Sequence, residues 1–391
     1  MASARAELVD RYRSLALPTT SEEAWRFTDL AGFDPDAYNG TGSDPGTRPA
    51  ETMVDLDVAG SATVSERGIE IENAPDGVTF EPLTDHERLG TLVGTDDKFT
   101  AHNAAEWRHG LLVRVPKGVV LEQPLYVRIA NTSPGAALFW RLLVIAEPQS
   151  RFSLIEEYSS ASPDLPGYSN AAVELFVGQG AKLEYVSLQN LSRETWHFAT
   201  HHARVDRDAE LDWVAGGFGS KKGKIRIQND LAGQGATSRV TGAYFADGTQ
   251  HLDYDTFQEH IAPDCESDFA FKGALRDHAT AVWRGMIRVE KDAQKTNAYQ
   301  ECRNLMLSPT THAVPIPGLE ILANDVRCTH GATVGRVNRE DLFYLQSRDL
   351  PRFEAERLIV RGFFQEVLDR IELEPVREAV TAALEARIPQ A

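Results

Sequence analysis

Gly178-Gln-Gly-Ala-Lys-Leu183 and Gly233-Gln-Gly-Ala-Thr-Ser238 open on the same tetrapeptide, and Asp208-Ala209-Glu-Leu211 stands between them. The three alanines are separated by 28 and 27 residues. Each opens a run of period two, such as Lys182-Leu-Glu-Tyr-Val-Ser-Leu188, in which alternate side chains share one face. A repeat of this length is about one coil of a stacked β-solenoid, whose coils together bury a core that no single coil can bury. His278-Ala279 and Asp292-Ala293 repeat the opening 14 residues apart, half a coil. Evenly spaced short strands also fit an antiparallel sandwich, but the period favours the solenoid.

Working outward, the period of two extends over 111–337, through Leu111-Leu-Val-Arg-Val-Pro116 and Phe152-Ser-Leu-Ile-Glu156. Before it, 1–110 reads as a helical and mixed region, helical to about residue 37, with a Gly/Pro/Ser-rich flexible loop near 39–50. After it, 338–391 reads as a helical domain. Asn338 is placed to cap a helix from Arg339, Pro351 to begin a longer one, and Val360, Phe364, Val367 and Ile371 share one apolar face. That domain either caps a solenoid end or offers an apolar groove to a partner, and the two roles are compatible.

The chain carries 58 acidic against 40 basic residues, a net charge of −18, which argues against a nucleic acid or anionic membrane as main partner. Its first 17 residues lack the apolar run of a signal peptide, and three cysteines are too few for a disulfide framework. The expected location is the cytoplasm.

Motifs for catalysis are mostly absent. Gly216-Gly-Phe-Gly-Ser-Lys-Lys-Gly-Lys224 lacks the spacing of a phosphate loop, and the adjacent His201 and His202 point to opposite strand faces. The chemistry concentrates in Ile321-Leu-Ala-Asn-Asp-Val-Arg-Cys-Thr-His-Gly-Ala-Thr-Val-Gly335, where Cys328 and His330 lie two apart on a strand and so share a face. A thiolate and an imidazole suit zinc, copper(I) or iron–sulfur chemistry. Cys302 lies 26 residues earlier, close to one coil, so the spacing predicts that Cys302 and Cys328 stack with His330 beside them. Two buried, inert cysteines are the competing reading. Cys265 reads as an incidental thiol in a polar turn.

Phe271-Lys-Gly-Ala-Leu-Arg-Asp277, Ala293-Gln-Lys-Thr-Asn-Ala-Tyr-Gln300, Asn304-Leu-Met-Leu307, Ile321 to Gly335 and Leu342-Phe-Tyr-Leu-Gln-Ser-Arg348 resemble the SufB/SufD family of iron–sulfur cluster assembly proteins, SufD most closely. Weaker echoes at Ala24-Trp-Arg-Phe-Thr-Asp29 and Gly110 to Pro124 extend the resemblance over most of the chain. It implies a right-handed parallel β-helix between helical regions, and a scaffold that hydrolyses nothing itself. It implies a SufC-type ATPase on the C-terminal helices, with Phe343, Tyr344, Arg348, Arg361 and Phe364 as contact candidates. It also implies a SufB-type subunit against the β-helix, and a transient cluster at that interface contacted by His330 and Cys328. No permanently bound cofactor is expected, and a flavin on the complex is left open.

Two departures stand out. Cys302 falls where SufB carries its principal cluster cysteine, and Gly331 replaces the glutamate that follows the histidine in SufB. SufB's N-terminal multi-cysteine motif is also missing. A SufB-like homodimer therefore stays open beside the SufD-like reading. From other classes, a β-helix carbohydrate-active enzyme and a structural partner with inert cysteines are the alternatives.

Overall fold

The computed structural model describes residues 2–38 and 52–388, so the loop expected at 39–50 lies outside the described residues. Helix α1 (Ala2–Ser14) is followed by 3-10 turns at Glu23–Trp25 and Pro35–Ala37, not by the continuous helix expected to residue 37. Pro18 disfavours helix at the residue before it, and the chain instead crosses the solenoid surface in short turns. Phe33 anchors it there, with Trp196, Phe198 and Tyr168 rings 4.8 to 5.1 Å away.

Strands β1 (Gly60–Ser65), β2 (Gly68–Asn73) and β3 (Thr79–Pro82) precede helix α2 (Lys98–Glu106), whose Asp97 side chain caps the amides of Phe99 and Thr100. From there every strand climbs the solenoid. The order is β4 (His109–Val115), β5 (Leu125–Asn131), β6 (Ala136–Ala146), β7 (Arg151–Ser160), β8 (Gly167–Val177), β9 (Lys182–Asn190) and β10 (Thr195–Val205). It continues with β11 (Glu210–Gly217), β12 (Lys222–Leu231), β13 (Thr237–Ala246), β14 (His251–His260), β15 (Glu266–Leu275), β16 (Thr280–Val289), β17 (Asn297–Met306), β18 (His312–Ile321) and β19 (Arg327–Arg336). Odd strands from β5 to β19 form one parallel sheet and even strands from β4 to β18 the other, about eight turns in all. The strands of the N-terminal region are part of this body: β1 pairs with β5, and β2 and β3 add antiparallel edges at the first end.

The repeat has a physical cause at one corner. Gln149, Gly180, Asp208, Gly235, Asp264 and Lys295 all have positive φ, between 53° and 74°. Each is followed by a small side chain that is almost wholly buried: Ser150, Ala181, Ala209, Ala236, Cys265 and Thr296. The left-handed residue turns the chain, and the next must be small enough to fit inside the corner. Cys265 is therefore a corner residue with its thiol against the Gly233 carbonyl at 3.2 Å, not an incidental turn thiol.

Helices α3 (Arg339–Gln346), α4 (Arg352–Leu368) and α5 (Glu374–Glu385) complete the chain, with Asn338 accepting from the Glu340 amide as the cap of α3. They do not cap the solenoid end. Val360, Phe364, Val367, Leu368, Val376 and Val380 pack on the outer face of the odd-strand sheet, against Val186, Val214, Phe245, Ala270 and Leu305. Those strands are apolar on both faces because both faces are covered. Lys272, nearly buried, fixes α4 through the Phe363 carbonyl (2.9 Å) and Glu366 (2.6 Å). The last coil is left open.

Candidate functional site

The open end is built by β18 and β19. Register places Pro315, Leu319 and Ile321 over Trp283, Ile287 and Val289, and places Cys328 and Ala332 over Ala298 and Cys302. Since the lower residues are core, the upper ones line the inner face of the last coil. Cys328 and His330 thus share a face, as two residues at i and i+2 must, and that face is the mouth of the solenoid. With no further coil above, Leu319, Ile321 and Val334 remain 36 to 40% exposed. Cys328 is half-buried against the Ile287–Val289–Ala298 cluster, and burial raises its thiol pKa. His330 is exposed.

Among the described residues both edges of this coil end without a partner strand, but they differ. Arg327 donates to Thr296, so odd-numbered amides of β19 bond β17, and those of Cys328, His330, Ala332, Val334 and Arg336 face outward. In β18, His312 and Leu322 bond the strand below, which turns the odd positions outward. Two of those are Pro315 and Pro317, which have no N–H. Prolines blunt the β18 edge, while the β19 edge is complete.

Cys302 does not stack under Cys328. Its register partner is Ala332, and Cys328 sits over Ala298. Register partners here are thirty residues apart, because longer turns lengthen the last coils beyond the earlier 27 or 28. The two thiols share a face but lie four positions apart along it, about 13 Å. Cys302 is sealed in the core, where Asn304 donates to its sulfur at 3.3 Å and the Tyr244 hydroxyl lies at 3.7 Å. Burial pushes this thiol up to about 12. Among the described residues no three His, Cys, Asp or Glu gather closely enough to hold a metal ion.

The helical candidates divide by exposure. Phe343 is 73% and Tyr344 58% exposed, with the Arg348 guanidinium 5.3 Å from the Tyr344 ring. Arg361 is exposed near Glu385. Phe364 is wholly buried against the sheet, so its place in the apolar stripe serves the chain's own core and offers nothing to a partner. Leu358 joins the exposed group, a residue the sequence pattern left unmarked.

Gln300 was also passed over. It lies beneath His330, fully buried, and donates to the Gly285 and Gly318 carbonyls. A glutamine inside a strand of solenoid period was the available signal. His202, by contrast, is an anchor, bonded to the Leu92 carbonyl and Asp230. A groove of about 780 Å³ runs over the outer face from Arg151 to Asp268, away from the mouth.

Residues 128–363 match the family described as SUF system FeS cluster assembly, SufBD core domain. An iron–sulfur cluster assembly SufBD family protein of Mycobacterium bovis is 30% identical over 380 residues, covering 94% of this chain and 89% of its own. Bacillus subtilis SufD is 30% identical over 75% of this chain and 67% of its own length. Bacillus subtilis SufB is 29% identical over 72% and 60%.

Proposed function

The chain belongs to the SufBD family of iron–sulfur cluster assembly proteins, and from that premise we propose that it is a non-catalytic, SufD-like scaffold subunit whose open solenoid end supplies half of a cluster-assembly site. The observation that carries this is the mouth itself. It presents one exposed imidazole and one half-buried thiol on an uncapped inner face, beside a complete strand edge. Two ligands cannot satisfy a cluster that wants four or more. A second subunit docked end to end would bury the apolar rim, pair with the β19 edge and bring the missing ligands.

The second subunit is of SufB type, with a second copy of this chain as the alternative pairing. A SufC-type ATPase docks on α3 and the exposed side of α4, and closure of two such ATPases works on the solenoid pair. The cluster is transient cargo of the complex, on which a flavin remains an open companion. The setting is cytoplasmic, and no helix among the described residues is long and apolar enough to cross a membrane.

Cluster assembly reconstituted with His330→Ala tests the site. The expected result is loss of most assembly with the complex intact by size-exclusion chromatography, since an exposed mouth residue supports no core. Full assembly by an intact complex would sink the assignment.

A further inference from the structure

Gln300 reaches from β17 across the interior, and its Nε2 donates to the carbonyls of Gly285 on β16 (3.2 Å) and Gly318 on β18 (3.0 Å). One side chain of the odd-strand sheet thereby ties down both last strands of the other. Its Oε1 faces Gln258 Nε2 at 3.4 Å. The crossing is built in. A Cβ at Gly285 would stand 2.2 Å from the Trp283 ring and 2.5 Å from Gln300 Oε1, so only glycine lets the amide pass.

The position matters as much as the bonds. Gln300 and Cys302 are i and i+2 on the same inner face, and Gln300 lies directly under His330. Trp283, in register with Pro315, stands beside it. Trp283 and Gln300 form the floor of the mouth, and Cys302, next to Gln300 on the same face of β17 and covered by Ala332 of the last coil, has no exposure. Meanwhile β18 is held along one edge only, with prolines on the other. The tie from Gln300 to Gly318 is a fastening that the ladder alone does not provide.

We propose that Gln300 is a latch that keeps Cys302 sealed under the mouth, and that outward movement of β18 breaks it and opens this thiol to thiophilic species in the mouth. The latch deepens the scaffold reading, on which it rests for its purpose: it makes Cys302 a conditional ligand, withheld until the end coil is displaced. Its existence is testable apart from cluster assembly.

The measurement is alkylation of the intact chain by N-ethylmaleimide at pH 8, followed cysteine by cysteine by peptide mass spectrometry. In the wild type Cys328 reacts first, while Cys302 and Cys265 are protected. In Gln300→Ala and in Gln300→Met, which keeps the bulk but cannot donate, Cys302 labels about tenfold faster, the change expected when a local opening loses one or two net hydrogen bonds. Cys265, in its distant corner, is the internal control and keeps its rate. An unchanged Cys302 rate overturns the latch, and so does a rise of Cys265 in step, which reports general loosening. Should neither variant fold, native-state hydrogen exchange on the wild type decides. The Gly318 and Glu320 amides must open with the same free energy as Cys302 labelling, below that of global unfolding, and a mismatch refutes the proposal. A latch that behaves as described while His330→Ala assembles clusters normally would leave the latch standing and remove the scaffold site.

Discussion

His197 and His201 sit inside the solenoid, and burial pushes both imidazoles down to about 3. In the unfolded chain each titrates near 6.5, so between these values the unfolded state binds the extra proton. Stability therefore falls as pH drops below about 6.5, by up to roughly 1.4 kcal/mol per pH unit for each residue. Glu156 works against them. Burial raises its pKa, although Trp140, Tyr158 and Tyr185 donate to it, so protonation favours the folded state as pH falls through that raised value. A His201→Gln variant isolates one side of the balance. The slope of unfolding free energy against pH, from denaturant titrations between pH 6 and 4.5, should be shallower than in the wild type by most of that one-proton amount. An identical slope would mean that His201 is not held neutral. At this scale the sequence was uneven. Alternation placed His201 and His202 on opposite faces correctly. Cys265, 29 residues after Ala236, was within reach of the same repeat, but its polar neighbours hid it. Cys302 was misplaced because counting from a regular coil cannot register turns that lengthen.

Each helix of the C-terminal domain can be read from its own stripe, yet where the stripe lands depends on another element. Val186, Val214, Phe245 and Leu305 are apolar on the outer face of their strands, and in the sequence this looks only like generous strand hydrophobicity. That face is what α4 and α5 cover, which is why, of the two roles open to the domain, capping the end is not the one it takes. The distinction changes how partner binding should be tested. Truncation after Asn338 would bare the flank and confound any loss of binding with aggregation. Point substitutions separate the two faces. Phe343→Ser with Tyr344→Ser removes exposed rings and should abolish co-purification of a SufC-type ATPase while the melting temperature holds. Phe364→Ala, from a wholly buried ring, should instead cost about 3–5 kcal/mol of stability in denaturant titration. Retained ATPase binding by the exposed pair variant would take the docking face away from α3.

A solenoid is quasi-one-dimensional, so its two ends decide what the whole molecule can do. The first end is finished by the antiparallel strands β2 and β3, whereas the last coil exposes two edges and an apolar mouth. An edge left open in this way invites strand addition unless something blunts it. Pro315 and Pro317 blunt β18, so the edge open to pairing is β19, the strand that also carries Cys328 and His330. On the proposed function, assembly of the subunits and completion of the ligand set would be one event. Proline substitution can test this with single-residue resolution. The Ala332 amide faces the free edge, so Ala332→Pro deletes a donor without touching the ladder to β17. It should weaken association with a SufB-type subunit, or with a second copy, by about tenfold or more in sedimentation experiments, with melting unchanged. Thr333→Pro, one residue on, removes an amide that bonds β17 and should lower the melting temperature by loosening the last coil. If Ala332→Pro associates like the wild type, the subunits do not meet through this edge, and the mouth ligands must be completed by some other approach.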